Sequence, residues 1–263
     1  MASGGYDCVL RVWDVLSGKQ LQQTPTGEGT IYCAAALWGD RVATGHSTHK
    51  IRLWSLDNGG GAAGVLQGHT SYVWSPAVVG GGTGQRLLAS ASADRSVRLW
   101  DVDAGTCTAV LNGHTEPVWC LVDLGGGRLL SGSSDRSLRV WNTATGASVA
   151  VVPNAHGEGD RGFIIAACAL PGGAATGCRG DFVQQWKWDE DANALTLDGA
   201  AMQLEGGVVR SLAAVSGRNG AQQLLAGCGD GILRALGIAT GGALLAVLVG
   251  HSGIVRAQAV MAP

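Results

Sequence analysis

His46 and His49, three residues apart, are the first candidates for chemistry in this chain. That spacing occurs among metal ligands, but no glutamate follows His46 and no helical pattern carries the pair. The pair is therefore expected in a solvent-exposed turn. Gly80-Gly81-Gly82-Thr83-Gly84 lacks the Gly-Lys-Ser/Thr ending of a phosphate-binding loop, and Gly18-Lys19 runs into Gln20. No Gly-x-Ser-x-Gly elbow presents a nucleophile. The seven cysteines are scattered and never form a Cys-x-x-Cys pair, so they read as small buried hydrophobes in a reducing compartment. No catalytic residue, metal ligand or cofactor site is assigned.

Charge narrows the partners. A formal net charge of −2 gives no general attraction to nucleic acid or to anionic lipid. Arg11, Arg52, Arg98 and Arg139 are spread along the chain rather than clustered with aromatics, so no nucleic-acid partner is expected. The longest apolar runs, 163–170 and 243–249, are far short of the ~20 residues that span a bilayer, and no membrane association is expected. The N-terminus lacks a basic segment followed by an apolar core. A cytoplasmic or nuclear location follows as the expectation.

The elements that must position any site come from a repeat. Aligning on Trp13, Trp54, Trp100, Trp141 and Trp186, with Leu236 sixth, gives separations of 41, 46, 41, 45 and 50 residues. A period of that length marks an array of supersecondary units. Within a unit, apolar and polar residues alternate, as in Ser96-Val97-Arg98-Leu99-Trp100-Asp101, which predicts strands with two different faces. The 43 glycines fall in clusters such as 80–84 and 125–127, which read as tight turns. No sustained helical stripe appears. The last copy is split: Gly250-His251-Ser252-Gly253-Ile254-Val255 closes the chain, and Ser3-Gly4-Gly5-Tyr6-Asp7 through Trp13-Asp14 opens it. In the middle of the chain the same strings run in one piece, from Gly113-His114 to Trp141.

Units with Gly-His in front, Ser-x-x-x-Asp in the middle and Trp-Asp at the end resemble WD repeats over essentially the whole chain. Trp13-Asp14 and Trp100-Asp101 carry the name-giving dipeptide, and Gly-His pairs stand at Gly68, Gly113 and Gly250. The resemblance implies an all-β fold, a β-propeller of about six four-stranded blades forming a single domain over 1–263. Blades would end near residues 25, 66, 111, 152, 203 and 249, and 250–263 would supply strand a of the first blade to N-terminal strands b to d. In this family a loop His, a turn Asp, a strand-b Ser and a strand-c Trp form a buried hydrogen-bonded set. The matching positions are His69, Asp94, Ser90 and Trp100, then His114, Asp135, Ser131 and Trp141. A third set would join the two chain ends through His251, Asp7, Ser3 and Trp13. These residues are expected to be structural, since a buried indole N–H needs an acceptor and His can bridge Ser to Asp.

Three units depart from the pattern. Trp186 lies only five residues after Asp181, so either the turn is shorter or the alignment slips towards Trp188, with His156 the histidine there. The unit ending at Leu236 has Leu204-Glu205 in place of Gly-His, and the unit ending at Trp54 has Gly27 and Thr48 where His and Asp belong. These last two blades are expected to be looser.

The resemblance also places the residue after the first apolar position of each strand a on the narrow face, where such propellers dock partners. In order these are Tyr32, Trp74, Trp119, Ile165, Arg210 and Arg256. Tyr32, Trp74, Trp119, Arg210 and Arg256 are therefore the candidate partner-binding residues, since aromatics and arginine carry binding energy at interfaces. The expected partner is a protein, through a peptide segment with an apolar anchor and an acidic residue. Two alternatives stand beside this non-catalytic scaffold: the substrate-recognition part of a ubiquitin ligase, and a fragment of a longer seven-bladed protein.

Overall fold

The computed structural model describes residues 2–14, 17–27, 29–57, 61–80, 86–205, 207–216, 221–238 and 243–248. Antiparallel strands form six sheets, and a 3-10 turn stands at Asp160–Gly162. Each sheet is a blade whose strands are lettered a to d in chain order. Blade 2 comprises Ile31–Ala36, Arg41–His46, Ile51–Ser55 and Gly61–Leu66. Blade 3 comprises Val73–Gly80, Arg86–Ser92, Val97–Asp101 and Thr106–Leu111, and blade 4 comprises Val118–Gly125, Arg128–Ser133, Leu138–Asn142 and Ser148–Val152. In blade 5, Ile164–Leu170 and Gly173–Cys178 precede the long strand c Phe182–Asp189, along which Ala194–Leu197 and Met202–Gln203 both pair. Blade 6 comprises Val209–Ser216, Gln222–Cys228, Leu233–Gly237 and Ala243–Leu248. Blade 1 has three described strands, Ala2–Ser3, Val9–Trp13 and Gln20–Pro25, in positions b to d. The residues expected to supply its strand a lie outside the described residues. The architecture is a six-bladed β-propeller.

The apolar cores lie between blades rather than within them. Leu66 of blade 2 packs with Val73, Leu88 and Trp100 of blade 3, and Leu111 of blade 3 packs with Val118, Leu129 and Trp141 of blade 4. Equivalent cores join blades 1 to 2, 4 to 5 and 5 to 6. Each tryptophan thus fills the seam with the preceding blade, and burying such a ring stabilises the pair of blades rather than one sheet. Glycines on strand b permit the close approach. A Cβ at Gly132 would collide with Ile164, and one at Gly177 with Val209, each from the next blade's strand a.

One edge differs. Trp54, Trp100, Trp141 and Trp186 are 1–5% exposed, whereas Trp13 is half-buried. Leu248, at the position of the fully buried Leu66 and Leu111, is 49% exposed.

Candidate functional site

The buried sets join serine, histidine and aspartate. In blade 3 the Trp100 indole N–H donates to Ser90 Oγ at 2.8 Å, and Ser90 lies 2.7 Å from His69 Nε2. His69 Nδ1 lies 2.8 Å from Asp94 Oδ2. A neutral imidazole that donates from Nδ1 to the carboxylate accepts the serine proton at Nε2, so every polar atom in the chain has a role. Blade 4 repeats the arrangement through Trp141, Ser131, His114 and Asp135, with the same distances. The order Ser–His–Asp is that of a hydrolase triad. However, both serines are 0% exposed and each hydroxyl is already occupied by an indole, so no substrate carbonyl can reach them.

The carboxylates also shape the turns. Asp94 accepts from the backbone N–H groups of Thr70 and Ser96, each at 3.0 Å, and from the Ser96 hydroxyl at 2.6 Å. These bonds hold Arg95 in the left-handed region at φ 73°, and Arg136 of blade 4 at φ 70°. Burial works to raise both aspartate pKa values. Hydrogen bonds from His69 and Ser96, or from His114 and Ser137, overcome it and hold both well below the usual carboxylate range.

The other blades secure the same positions differently. In blade 1 Trp13 donates to Ser3 at 2.8 Å, as the sequence implied, but Asp7 pairs with Arg11 at 2.6 Å. His251, the expected partner of Asp7, lies outside the described residues, as does Arg256. In blade 6 Asp230 likewise pairs with the strand-c arginine Arg234, at 2.7 Å.

Blade 2 corrects two expectations. His46 is not in an exposed turn: it ends strand b, is 0% exposed, and its Nε2 lies 2.8 Å from Thr44 Oγ1. Thr44 also accepts the Trp54 indole N–H at 2.7 Å. A histidine two residues along the strand thereby replaces the missing loop histidine, and the blade is not loose at this point. In blade 5 the alignment does not slip: Trp186 donates to Thr176 at 2.7 Å, and Thr176 meets His156 Nε2 at 2.7 Å. Gly180 stands where Asp94 and Asp135 stand, so His156 Nδ1 is buried without a partner. Burial pushes the His156 pKa down to about 4.

The candidate binding residues that are described, Tyr32, Trp74, Trp119 and Arg210, come together at the end of the propeller where the d–a loops and b–c turns meet. Tyr32 and Trp74 have ring centroids 4.5 Å apart, and Trp74 stacks on Trp119 at 4.7 Å with planes 28° apart. Two tyrosines that the strand alignment did not pick extend the arc. Tyr72 lies 5.6 Å from both Tyr32 and Trp74, and Tyr6 lies 6.4 Å from Tyr32. Tyr6 is 67% and Tyr72 41% exposed. Their signal in the sequence is position: Tyr72 ends a d–a loop and Tyr6 precedes the turn aspartate of blade 1. Arg210 borders, with Tyr32, Trp119 and Ile165, a cavity of about 220 Å³ lined by strand a of blades 2 to 6. The Trp119 indole N–H donates to Ser134 at 2.6 Å. Ala93 occupies the matching place in blade 3, and the buried Trp74 N–H has no acceptor. Among the described residues no group of three or more His, Cys, Asp or Glu side chains is arranged to hold a metal ion.

A family model for the WD domain, G-beta repeat, matches residues 61–101 and 105–142, which run from the last strand of blade 2 through all of blade 3 to strand c of blade 4. The chain is 35% identical over 109 residues to the ribosome biogenesis protein WDR12 homolog of Nematostella vectensis, covering 38% of this chain and 24% of that protein. It is 32% identical over 111 residues to the nuclear distribution protein nudF of Aspergillus flavus, covering 41% of this chain and 24% of the relative. It is 30% identical over 109 residues to protein tipD of Dictyostelium discoideum, covering 41% and 17% respectively. The match thus spans a quarter or less of each relative's length.

Proposed function

We propose that this chain, a member of the WD-repeat β-propeller family, is a non-catalytic scaffold that docks another protein on its narrow face. The observation that supports this reading is the aromatic arc of Tyr6, Tyr32, Tyr72, Trp74 and Trp119, contiguous across blades 1 to 4 and partly open to solvent. Aromatic rings desolvate at little conformational cost, which makes such a surface a strong apolar anchor point. Arg210 at the neighbouring channel mouth gives an acidic residue of the bound segment a counter-charge. The partner is accordingly a peptide segment with an apolar anchor and an acidic residue. Relatives named for ribosome biogenesis and for nuclear distribution favour a nuclear or cytoplasmic setting. Among the described residues no helix is long and apolar enough to cross a membrane.

The test is affinity capture with the wild-type chain beside a Trp74→Ala/Trp119→Ala variant, both identified by mass spectrometry. Partners held by the arc disappear from the variant while its circular dichroism stays that of a β-propeller. Unchanged capture overturns the assignment.

A further inference from the structure

The aromatic arc does not end at Trp119. Ser134, which accepts the Trp119 indole N–H, also lines a groove of about 520 Å³ between blades 4 and 5. The loop that walls this groove is longer than those before blades 3 and 4. Six residues separate Leu66 from Val73 and Leu111 from Val118, whereas eleven separate Val152 from Ile164. The extra length includes the 3-10 turn Asp160–Gly162, which brings Asp160 and Phe163 opposite Glu116 and Pro117 of the preceding loop.

The lining has a definite charge character. Glu116 and Asp160 are exposed carboxylates with no ion pair among the described residues. Asp135, the third acid, is tied to His114. Arg136 is the one cation in the lining, and its side chain packs against Gly162. An open, half-apolar groove with two unpaired carboxylates, continuous with an aromatic platform, complements a cation carried next to an apolar group.

The geometry points to a cation subsite: an arginine or lysine of the docked segment enters the blade 4–5 groove between Glu116 and Asp160, beside the apolar anchor on Trp119. This rests on the scaffold reading above and gives the bound segment a direction, with its basic end towards blade 5 and its acidic end towards Arg210.

A random-peptide phage library panned on the intact chain tests it. Enriched peptides carry Arg or Lys within a few residues of an aromatic or aliphatic residue. In fluorescence anisotropy, Glu116→Gln/Asp160→Asn weakens such a peptide by about tenfold, and less at high salt, as two partly exposed ion pairs allow. Trp74→Ala/Trp119→Ala instead weakens enriched peptides of every charge. If the carboxylate variant binds as wild type and the tryptophan variant does not, the groove is overturned and the arc stands. The opposite result overturns the arc and leaves the groove. Enriched peptides without a cation overturn the groove, and a library yielding no binder overturns both.

Discussion

Blades 4 and 6 place an aspartate in the same turn and secure it by different partners. In blade 4, Asp135 holds His114, 21 residues earlier, and through it Ser131 and Trp141. In blade 6, Asp230 holds Arg234, four residues later, and Leu236 takes the place of the tryptophan. The first arrangement staples the incoming loop to the hairpin and to the core. The second fixes only its own turn. A conserved position in the repeat is therefore not a conserved energy, because the sequence distance to the partner decides how much chain each bond restrains.

That contrast makes its largest prediction for stability. His114→Ala leaves Ser131 and Asp135 short of a buried partner and lowers the unfolding free energy by about 3 kcal/mol. Asp230→Ala, breaking a half-open local pair, costs under about 1 kcal/mol. Urea denaturation of the two variants measures the difference, and equal losses would dissolve the distinction.

A second prediction sets blade 4 against blade 5, where the histidine lacks its carboxylate. His156 is held neutral down to a pKa of about 4, against an ordinary 6.5 in the unfolded chain. Between those values the unfolded chain binds a proton that the folded chain refuses, so stability is complete above pH ~6.5 and falls towards pH ~4. The loss is about 3 kcal/mol and is absent in His156→Gln. Gly180→Asp, whose Cβ would lie 3.2 Å from the Arg161 carbonyl oxygen, supplies the missing carboxylate. It raises the His156 pKa measured by NMR; an unmoved value would mean that the blade 4 geometry does not transfer. Below the ordinary carboxylate value of 3.8, the stability contributed by ionised Asp94 and Asp135 begins to fade as well.

The smallest effect compares blades 3 and 4 at the aromatic arc. Ala93→Ser gives the Trp74 N–H the acceptor that Ser134 gives Trp119, and raises the unfolding midpoint by an amount worth about 0.5–1 kcal/mol. No gain would mean that the indole does not reach the added hydroxyl.

The strands and the tryptophan-to-hydroxyl bonds were legible because each depends on residues at a fixed spacing within one hairpin, as in Ser90 and Trp100. Partners that come from elsewhere were not. His46 was hidden because the family pattern looks for its histidine in the loop before strand a, whereas here it arrives along strand b. Asp7 and Asp230 take arginine because the hairpin turn brings a strand-c residue within reach, which spacing alone does not announce. Among the candidate binding residues, the alignment picked Tyr32, Trp74, Trp119 and Arg210, since strand register controls which way they project. Tyr6 and Tyr72 come from loops whose paths no periodicity encodes.

The stacked indoles of Trp74 and Trp119 have an optical consequence. Two such chromophores 4.7 Å apart are close enough to couple their excited states, and an exciton couplet in circular dichroism is the expected signature. Any ligand that settles on the arc must slide between, cover or reorient those rings. Its arrival is written in the sign and size of that couplet, and binding at this face can be followed without a label, on a chain otherwise left untouched.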